Sequence, residues 1–445
     1  MTLAALHQRL RKLVLKTNAY WPSKQLSQWA SDLAMRSYVW KFHSSPHIRR
    51  IYVRGGWNED PWVPGLSDID LALVIRSDLS LAEEYRFLLS FWNSHAQLSR
   101  FFPVFDVTLL DQFEFPRWLA LSAMAPQRRS WVLLHGEQNN DLRADHSPRW
   151  RNRAVDFALW VYVDLMPPCL AIRDRFIGTC DLQRRVKKIF RVLRPFLATE
   201  EPDPWVSSNP AVLTANALRA LDRAISQVTS DARQDAQGAP DAMLEVFPDK
   251  VFLVINDNLP PDISIDLVRS VYASCSASTL VPIVLNRRVL AYLVRCCEPY
   301  AYEFFRNARV LSGTNPLAAI APPDREQIAA YLRSRVENVF VFARSPELFA
   351  EAPSWRNLKY QMTQAMALLF LLRDDCAWST WQETDAHWRS LYPEWSRTFD
   401  GIKQSLVAGE VSSAREAFFH LFRPISREIC EMLNRADAAT AGVND

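Results

Sequence analysis

Three aspartates stand on segments whose residue pattern predicts β-strands. Asp68 and Asp70 are two residues apart in DIDLALVI at 68–75, so the alternation of a strand puts both side chains on one face. Asp106 lies among apolar residues in PVFDVTLL at 103–110. Neighbouring carboxylates are unfavourable unless a cation lies between them, and an unpaired charge among apolar groups is costly. The pattern therefore indicates a site for an oxygen-preferring dication such as Mg²⁺.

Three carboxylates from adjacent strands can hold two metal ions that stabilise the attacking and leaving oxygens of a displacement at phosphorus. Just upstream, Gly55-Gly56 ends a predicted strand, RRIYVRGG at 49–56. Backbone N–H groups at such a glycine pair can approach a phosphate closely, and Ser67 adds a hydroxyl donor before the first aspartate. The segment is therefore predicted to bind phosphate as well as metal.

The order of these elements resembles the nucleotidyltransferase superfamily of DNA polymerase beta, the aminoglycoside nucleotidyltransferases and the CCA-adding enzymes. In that family a strand ends in Gly-Gly or Gly-Ser, Asp-x-Asp follows on the next strand, and a lone aspartate comes later. Here these elements are Gly55-Gly56, Asp68-Ile69-Asp70 and Asp106, and the resemblance covers residues 49–137. It implies that Asp68 and Asp70 bind two Mg²⁺ ions, or Mn²⁺, together with a nucleoside triphosphate. It also implies that Asp106 completes one metal site and can deprotonate the acceptor hydroxyl.

Two departures from the family pattern concern the loop between the strands. Gly56 stands where serine is more frequent, a variation that the family tolerates. The loop at 57–66, WNEDPWVPGL, is bulky where small residues are usual. Its Trp57 and Trp62 either shape the nucleotide pocket and stack on a base, or simply pack the loop.

A basic helix is the candidate source of a cation for the triphosphate, because family members commonly carry one in a helical domain after the catalytic domain. The segment QRRVKKIFRVLRPFL at 183–197 places Arg184 on one helix face with Lys187 and Lys188. The alternative is a solvated basic face. His135 follows the third predicted strand and lies either near the site or in a structural position.

Composition limits the class of protein. The chain has 445 residues, a net charge of +3, 49% hydrophobic and 23% charged residues, which predicts a soluble globular protein of several domains. The small net charge argues against a protein that wraps a long polyanion. The seven cysteines form no C-x-x-C pair, and the longest apolar run, 365–372, is too short for a membrane span. A cytoplasmic protein without a membrane partner is expected.

An internal repeat is predicted from the two segments that mix strands and helices. LALVIRSDL at 71–79 aligns with VFLVINDNL at 251–259, PVFDV at 103–107 with PIVLN at 282–286, and WVLLHGE at 131–137 with ARVLSGT at 308–314. The expected fold is α+β and mainly helical: a small mixed sheet of nucleotidyltransferase type followed by a helical bundle, the pair repeated in tandem.

Five domains follow from this reading and from a polar stretch at 230–241. They are a helical leader at 1–45, a catalytic domain at 46–141, a helical domain at 142–240, a degenerate nucleotidyltransferase-like domain at 241–318 and a C-terminal helical domain at 319–445. The second copy is expected to be non-catalytic, since the alignment puts Pro248, Lys250 and Leu285 at the positions of Asp68, Asp70 and Asp106.

The predicted activity is transfer of a nucleoside monophosphate from an NTP to an acceptor hydroxyl or phosphate, with release of pyrophosphate. A small-molecule acceptor suits the modest net charge. An RNA end or a protein side chain is the alternative, favoured by the basic helix and by RADHSPRWRNR at 143–153. Two further readings stay open: a non-catalytic nucleotide-binding regulatory or scaffold protein, and a structural Ca²⁺ site. The oligomeric state is not predicted.

Overall fold

A computed structural model gives the architecture of the chain. The description covers residues 13, 16, 21–54, 69–101, 105–121, 131–137, 149–170, 172, 175–197, 204–228, 242–247, 250–255, 281–297, 304, 307–318, 320–321, 324–350, 353–374 and 381–441.

Eight strands and fifteen α-helices are assigned within these ranges. The strands are β1 Ile48–Arg54, β2 Ile69–Ile75, β3 Phe105–Asp111, β4 Val132–His135, β5 Ala242–Phe247, β6 Lys250–Ile255, β7 Val281–Asn286 and β8 Arg309–Ser312. The helices are α1 Trp21–His43, α2 Leu81–Phe101, α3 Glu114–Leu121, α4 Arg149–Trp160, α5 Pro167–Leu170, α6 Arg175–Leu193, α7 Pro210–Val228, α8 Arg287–Arg295, α9 Arg325–Ser334, α10 Val336–Phe342, α11 Pro346–Phe349, α12 Trp355–Asp374, α13 Trp381–Leu391, α14 Pro393–Val407 and α15 Val411–Ala441. A π-helical turn, Val161–Leu165, continues α4.

The first sheet has the strand order β3-β2-β1-β4. β1 pairs with β2 and with β4 in antiparallel fashion, whereas β2 and β3 are parallel and are joined by α2. Apart from Asp70, every residue of β2 is buried, so both faces of this strand are covered. Ile69, Leu71 and Leu73 point to the face opposite Asp70, as the alternation of apolar residues predicts.

The second sheet repeats this topology. Its strand order is β7-β6-β5-β8, with antiparallel pairs on both sides of β5 and a parallel pair between β6 and β7. β6 and β7 begin and end where the apolar strand patterns KVFLVI at 250–255 and VPIVLN at 281–286 predict. β5 was not predicted, since AMLEVF is short and ends close to β6. The segment IDLVRSVYASC at 265–275, whose pattern predicts a helix between these strands, lies outside the described residues.

Three local details recur at matching places in the two sheets. The β1–β4 ladder skips Leu134 between the pairs Ile51–His135 and Tyr52–Leu133, and the β5–β8 ladder has the corresponding shift between Met243 and Leu244. A glycine with positive φ follows each fourth strand, Gly136 at 94° and Gly313 at 81°. Both third strands end in a residue whose side chain caps the next helix.

The capping residues are Asp111 and Asn286. Oδ1 of Asp111 accepts hydrogen bonds from the backbone N–H of Phe113 at 2.8 Å and of Glu114 at 2.9 Å. Oδ1 of Asn286 accepts one from the N–H of Val289 at 2.9 Å. These side chains satisfy N–H groups that lack a partner inside the first turn of α3 and α8.

The chain divides into two compact units, each made of discontinuous segments. One contains residues 1–16 and 145–331, and the other contains residues 17–144 and 332–445. The first sheet thus shares a unit with the C-terminal helices, and the second sheet shares a unit with α4 to α7. The five domains expected from the sequence stay a prediction.

A buried ionic cluster joins the first sheet and its helices to the C-terminal helices of the same unit. Its side chains are Glu84 on α2, Asp111 at the end of β3, Glu114 on α3, Arg344 after α10 and Arg423 on α15. Arg344 donates to Glu84 at 2.6 Å and contacts Glu114, while Arg423 donates to Glu84 at 2.9 Å and to Asp111 and Glu114 at 2.7 Å. All five side chains are at most 7% exposed. The cluster satisfies buried charges that would otherwise be costly.

The predicted fold class is confirmed at the coarse level: the protein is a mainly helical α+β protein with two small mixed four-stranded sheets. Among the helices that the structure describes, none combines the length and the apolar character that a membrane crossing requires.

Candidate functional site

The structure describes two of the three predicted metal ligands. Asp70 is the second residue of β2 and Asp106 is the second residue of β3. Asp68, Gly55, Gly56 and Ser67 lie outside the described residues, and so do the loop tryptophans Trp57 and Trp62.

Asp70 and Asp106 are direct partners in the parallel ladder of β2 and β3. On the other side of β2, Asp70 pairs with Arg54, the last residue of β1. Residues in register on neighbouring strands point to the same face of a sheet. The order Asp106–Asp70–Arg54 is therefore a cross-strand row of two carboxylates and a guanidinium, here called the Asp–Asp–Arg row.

Arg54 reaches across the middle strand to Asp106. One terminal guanidinium nitrogen lies 3.6 Å from Oδ2 of Asp106; the arginine side chain is 9% exposed and the aspartate side chain 66% exposed. The guanidinium also lies over two indole rings, at 5.7 Å from Trp118 and 5.9 Å from Trp131. Its Nε is buried with no hydrogen-bond partner among the described residues. Cation–π contacts hold the arginine in place, and one of its donors is left unused.

The aromatic residues below Arg54 form a continuous cluster. Tyr52, two residues earlier on the same face of β1, stacks on Phe115 with ring centroids 5.3 Å apart. Trp118 and Trp131 lie 5.6 Å apart and complete the cluster. These residues are almost fully buried, so the end of β1 has a rigid base.

Two histidines of the same unit, His95 and His135, bear on the site, but only His95 is coupled electrostatically to the row. Burial lowers the pKa of His95 on α2, and the charge of Asp106 opposes that shift. The His95 ring is bonded to the hydroxyl of Tyr38 at 2.9 Å and to that of Ser99 at 3.1 Å. His135 pairs with Ile51 and its ring contacts that of His43 at 5.8 Å, which supports a structural position.

The described side chains supply part of a site for a hard dication such as Mg²⁺. Two carboxylates on adjacent strands supply the oxygen ligands that Mg²⁺ prefers, and the exposure of Asp106 leaves it accessible to a hydrated ion. No group of three or more His, Cys, Asp or Glu side chains suited to a metal occurs among the described residues, which do not include Asp68. A two-ion site would therefore require Asp68, and any ion that reaches Asp106 would compete with Arg54.

The three predicted triphosphate-binding cations lie on α6, in the unit of the second sheet. Arg184 donates to Asp181 at 2.9 Å and 3.1 Å. Lys187 lies 5.9 Å from the ring of Trp205, and Lys188 lies 5.1 Å from the ring of Phe157. Each therefore has a contact within its own unit and is only partly exposed. A role in triphosphate binding stays a prediction.

The second sheet carries a different charge at the matching position. Lys250, which aligns with Asp70, contacts the carboxylate of Asp164 on the π-helical turn. In the β6–β7 ladder its partner is Val281, so the residue equivalent to Asp106 is Val281. The sequence alignment had put Leu285 there and was wrong by four residues, because short apolar strands align equally well at several offsets. Pro248 lies outside the described residues.

Arg54 is the site residue that the sequence reading missed. Its position directly before Gly55-Gly56 was a possible signal, since a cation beside a phosphate-binding turn suits a triphosphate.

Comparison with known proteins adds no relative, because no family model, no curated protein and no solved structure matches this chain.

Proposed function

We propose that the unit containing the first sheet is a Mg²⁺-dependent nucleotidyltransferase that moves a nucleoside monophosphate from an NTP to an acceptor and releases pyrophosphate. The observation that carries the proposal is the pairing of Asp70 with Asp106 on adjacent parallel strands. Their carboxylates lie on one face of the sheet. In the sequence, Gly55-Gly56 directly follows Arg54, and Asp68 precedes Asp70 by two residues.

Arg54 adds a second argument. The guanidinium of Arg54 is buried and lies at the same end of the strands as the two carboxylates. Its positive charge would help the metal ions to neutralise the negative charge of a triphosphate. A terminal nitrogen of Arg54 lies 3.6 Å from Asp106, and in the proposed complex the terminal nitrogens would donate to phosphate oxygens. This gives Arg54 the role that the sequence reading gave to the basic residues of α6.

A small molecule is the acceptor that we favour, because the net charge of +3 is low for a protein that binds a long nucleic acid. An RNA end or a protein side chain is the alternative acceptor. A regulatory nucleotide-binding protein is the alternative of another class. Turnover of NTP distinguishes an enzyme from a regulatory nucleotide-binding protein. The cell fraction that receives the labelled nucleotide (small molecules, RNA or protein) distinguishes the acceptors.

The second sheet is proposed to be a non-catalytic copy that arose by duplication. The shared strand order, the repeated bulge, the two positive-φ glycines and the two strand-end caps support this origin better than an alignment of apolar residues alone. The ion pair of Lys250 with Asp164 occupies the place of the Asp70 carboxylate, so the second copy lacks a metal ligand there.

The test is a transfer assay with each of the four α-labelled NTPs, Mg²⁺ or Mn²⁺, and a cell extract as the source of acceptor. We expect label to enter one fraction and pyrophosphate to be released. Asp70→Asn and Asp106→Asn should each reduce transfer by at least about 100-fold, because each removes a carboxylate from the metal site. Asp32→Asn, which changes an exposed aspartate on α1, is the matched control.

Transfer that persists in both aspartate variants would reject this active site. Nucleotide binding without turnover in the wild-type protein would favour the regulatory reading.

A further inference from the structure

A recess between α1 and α2 contains a combination of side chains that the proposed transferase site does not use. It encloses about 570 Å³ and is open to solvent, and none of Arg54, Asp70 and Asp106 lines it. This volume lies within the range of roughly 300–1,000 Å³ that is usual for small-ligand sites. All of its lining residues belong to one unit of the chain.

The floor of the recess is aromatic. Phe42 from α1 and Phe87 and Phe91 from α2 are at most 9% exposed. The rings of Phe42 and Phe91 lie 4.7 Å apart, and the ring of His47 lies 5.2 Å from that of Phe87. Such a floor can accept the face or edge of an aromatic ring.

The rim carries donors that suit an anion. Lys41 and Arg86 line it from the two helices, and neither has an ion-pair partner within 4 Å among the residues that the structure describes. Three serine hydroxyls, Ser45, Ser90 and Ser94, line the walls. A phosphate monoester accepts hydrogen bonds from such a mixture of ammonium, guanidinium and hydroxyl groups.

The single acid of the recess is already engaged. Glu83 accepts hydrogen bonds from the N–H of Ser80 at 3.0 Å and from its hydroxyl at 2.7 Å, in the capping box at the start of α2. These bonds lower the pKa of Glu83, with smaller contributions from the charges of Arg86 and His47, and keep its charge at the helix terminus. On the histidine side, Nδ1 of His47 is buried and has no hydrogen-bond partner among the described residues.

We propose that this recess binds a small aromatic phosphate, with its ring on the phenylalanine floor and its phosphate between Lys41 and Arg86. The proposal does not depend on the transferase function. It needs only the aromatic floor, the two cations without ion-pair partners and the serine hydroxyls.

Isothermal titration of the full-length protein with phenyl phosphate tests this directly, with methyl phosphate and phenol as reference ligands. We expect one site per chain for phenyl phosphate and at least about tenfold weaker binding of both reference ligands, since each lacks one half of the recognised group. The double variant Lys41→Gln/Arg86→Gln should weaken phenyl phosphate at least about tenfold. Arg36→Gln, an exposed arginine on α1 outside the recess, should bind like the wild-type protein.

Absence of phenyl phosphate binding, or equal affinity in the double variant, would overturn the proposal. Asp70→Asn should bind phenyl phosphate normally, and loss of binding in that variant would place the ligand in the aspartate site and overturn it as well.

Discussion

At the scale of single residues, the notable feature is a guanidinium that faces two carboxylates across three strands. Arg54 is held by two indole rings and ends 3.6 Å from Asp106, while Asp70 lies between them in the ladder. Like charges on neighbouring strands disfavour each other's ionised form, and a nearby cation offsets this effect. Arg54 is that cation, and it is also well placed for an anionic substrate.

Replacement of Arg54 by methionine is expected to lower kcat/KM for the NTP at least about tenfold, because a charge-assisted bond to phosphate is lost. Arg54→Lys should recover part of the loss, since it keeps the charge but not the planar fork. Steady-state kinetics on both variants and on Arg49→Met, an exposed neighbour on β1, checks this. Equal kinetics in Arg54→Met and the wild-type protein would assign Arg54 to packing alone.

Ionisation of Glu84 makes the stability of its unit dependent on pH. The guanidinium groups of Arg344, Arg423 and Arg427 outweigh the effect of burial and lower the pKa of Glu84 to about 2. Because the folded pKa lies below the unfolded value, the contribution of Glu84 to stability is complete above about pH 4.5. It disappears as pH falls from there towards pH 2.

Denaturant unfolding of the wild-type protein between pH 5 and pH 2 should therefore show a loss on the order of 3 kcal/mol from this group. Complete burial raises the pKa of Glu114, so protonation of Glu114 at low pH stabilises the folded protein. This gain partly offsets the loss of stability from Glu84, and the two contributions have to be measured separately. The variant Glu84→Gln isolates the contribution of Glu84, since its unfolding free energy should decrease less steeply than that of the wild-type protein as pH falls. Parallel pH profiles for the two proteins would contradict the assignment.

At the scale of elements, strand ends and helix starts carry the specific interactions. Gly136 follows β4 with a φ of 94°, and an added Cβ there would lie 2.2 Å from the carbonyl oxygen of Arg49. That contact is with backbone, which cannot move without disturbing β1. The glycine is therefore required by both conformation and space. Gly401, inside α14, is the opposite case, because nothing lies within 4 Å of its Cβ position.

Gly136→Ala is expected to destabilise the protein by about 1–3 kcal/mol, from positive-φ strain together with the backbone clash. Gly401→Ala should stabilise it by about 0.5–1 kcal/mol, because alanine favours the helix and nothing opposes its methyl group. Thermal and denaturant unfolding of both variants measures the difference in sign. A stabilised Gly136→Ala protein would show that the end of β4 has another conformation.

At the scale of the whole molecule, the chain alternates between its two units. Residues 17–144 belong with residues 332–445, and the segment between them forms most of the other unit. Within the first of these units, Arg344 and Arg423 bind three carboxylates that lie more than two hundred residues earlier in the chain. The indole N–H of Trp92 also donates to the carbonyl oxygen of Arg344 at 2.9 Å. The unit of the first sheet is therefore completed only by the C-terminal segment.

A fragment of residues 1–144 is expected not to fold alone, because it contains Glu84, Asp111 and Glu114 without their arginine partners. Loss of the partners of a buried charge costs about 3–5 kcal/mol for each pair broken. Co-expression with residues 332–445 should restore a folded complex, whereas co-expression with residues 145–331 should not. Circular dichroism and amide hydrogen exchange of the fragments provide the measurement, and a cooperative unfolding transition in the isolated fragment 1–144 would contradict the prediction.

The sequence by itself determined much of the local structure. Alternating and 3.6-residue apolar patterns placed five of the eight described strands and several of the long helices, because these patterns reflect which face of each element is buried. The same alternation put Asp70 on the face opposite Ile69, Leu71 and Leu73. The alignment of β2 with β6 and of β4 with β8 agrees with the strand registers.

Tertiary structure decided what depends on contacts between distant segments. The register of β6 on β7, which assigns Val281 rather than Leu285 to the position of Asp106, is set by a hydrogen-bonded ladder. The position of Arg54 over Trp118 and Trp131 depends on residues more than sixty positions later. The crossed pairing of sheets and helices depends on buried ion pairs such as Glu84 with Arg423, which leave no periodic signal in the sequence. Local patterns report which face of an element is buried, but not which distant segment covers it.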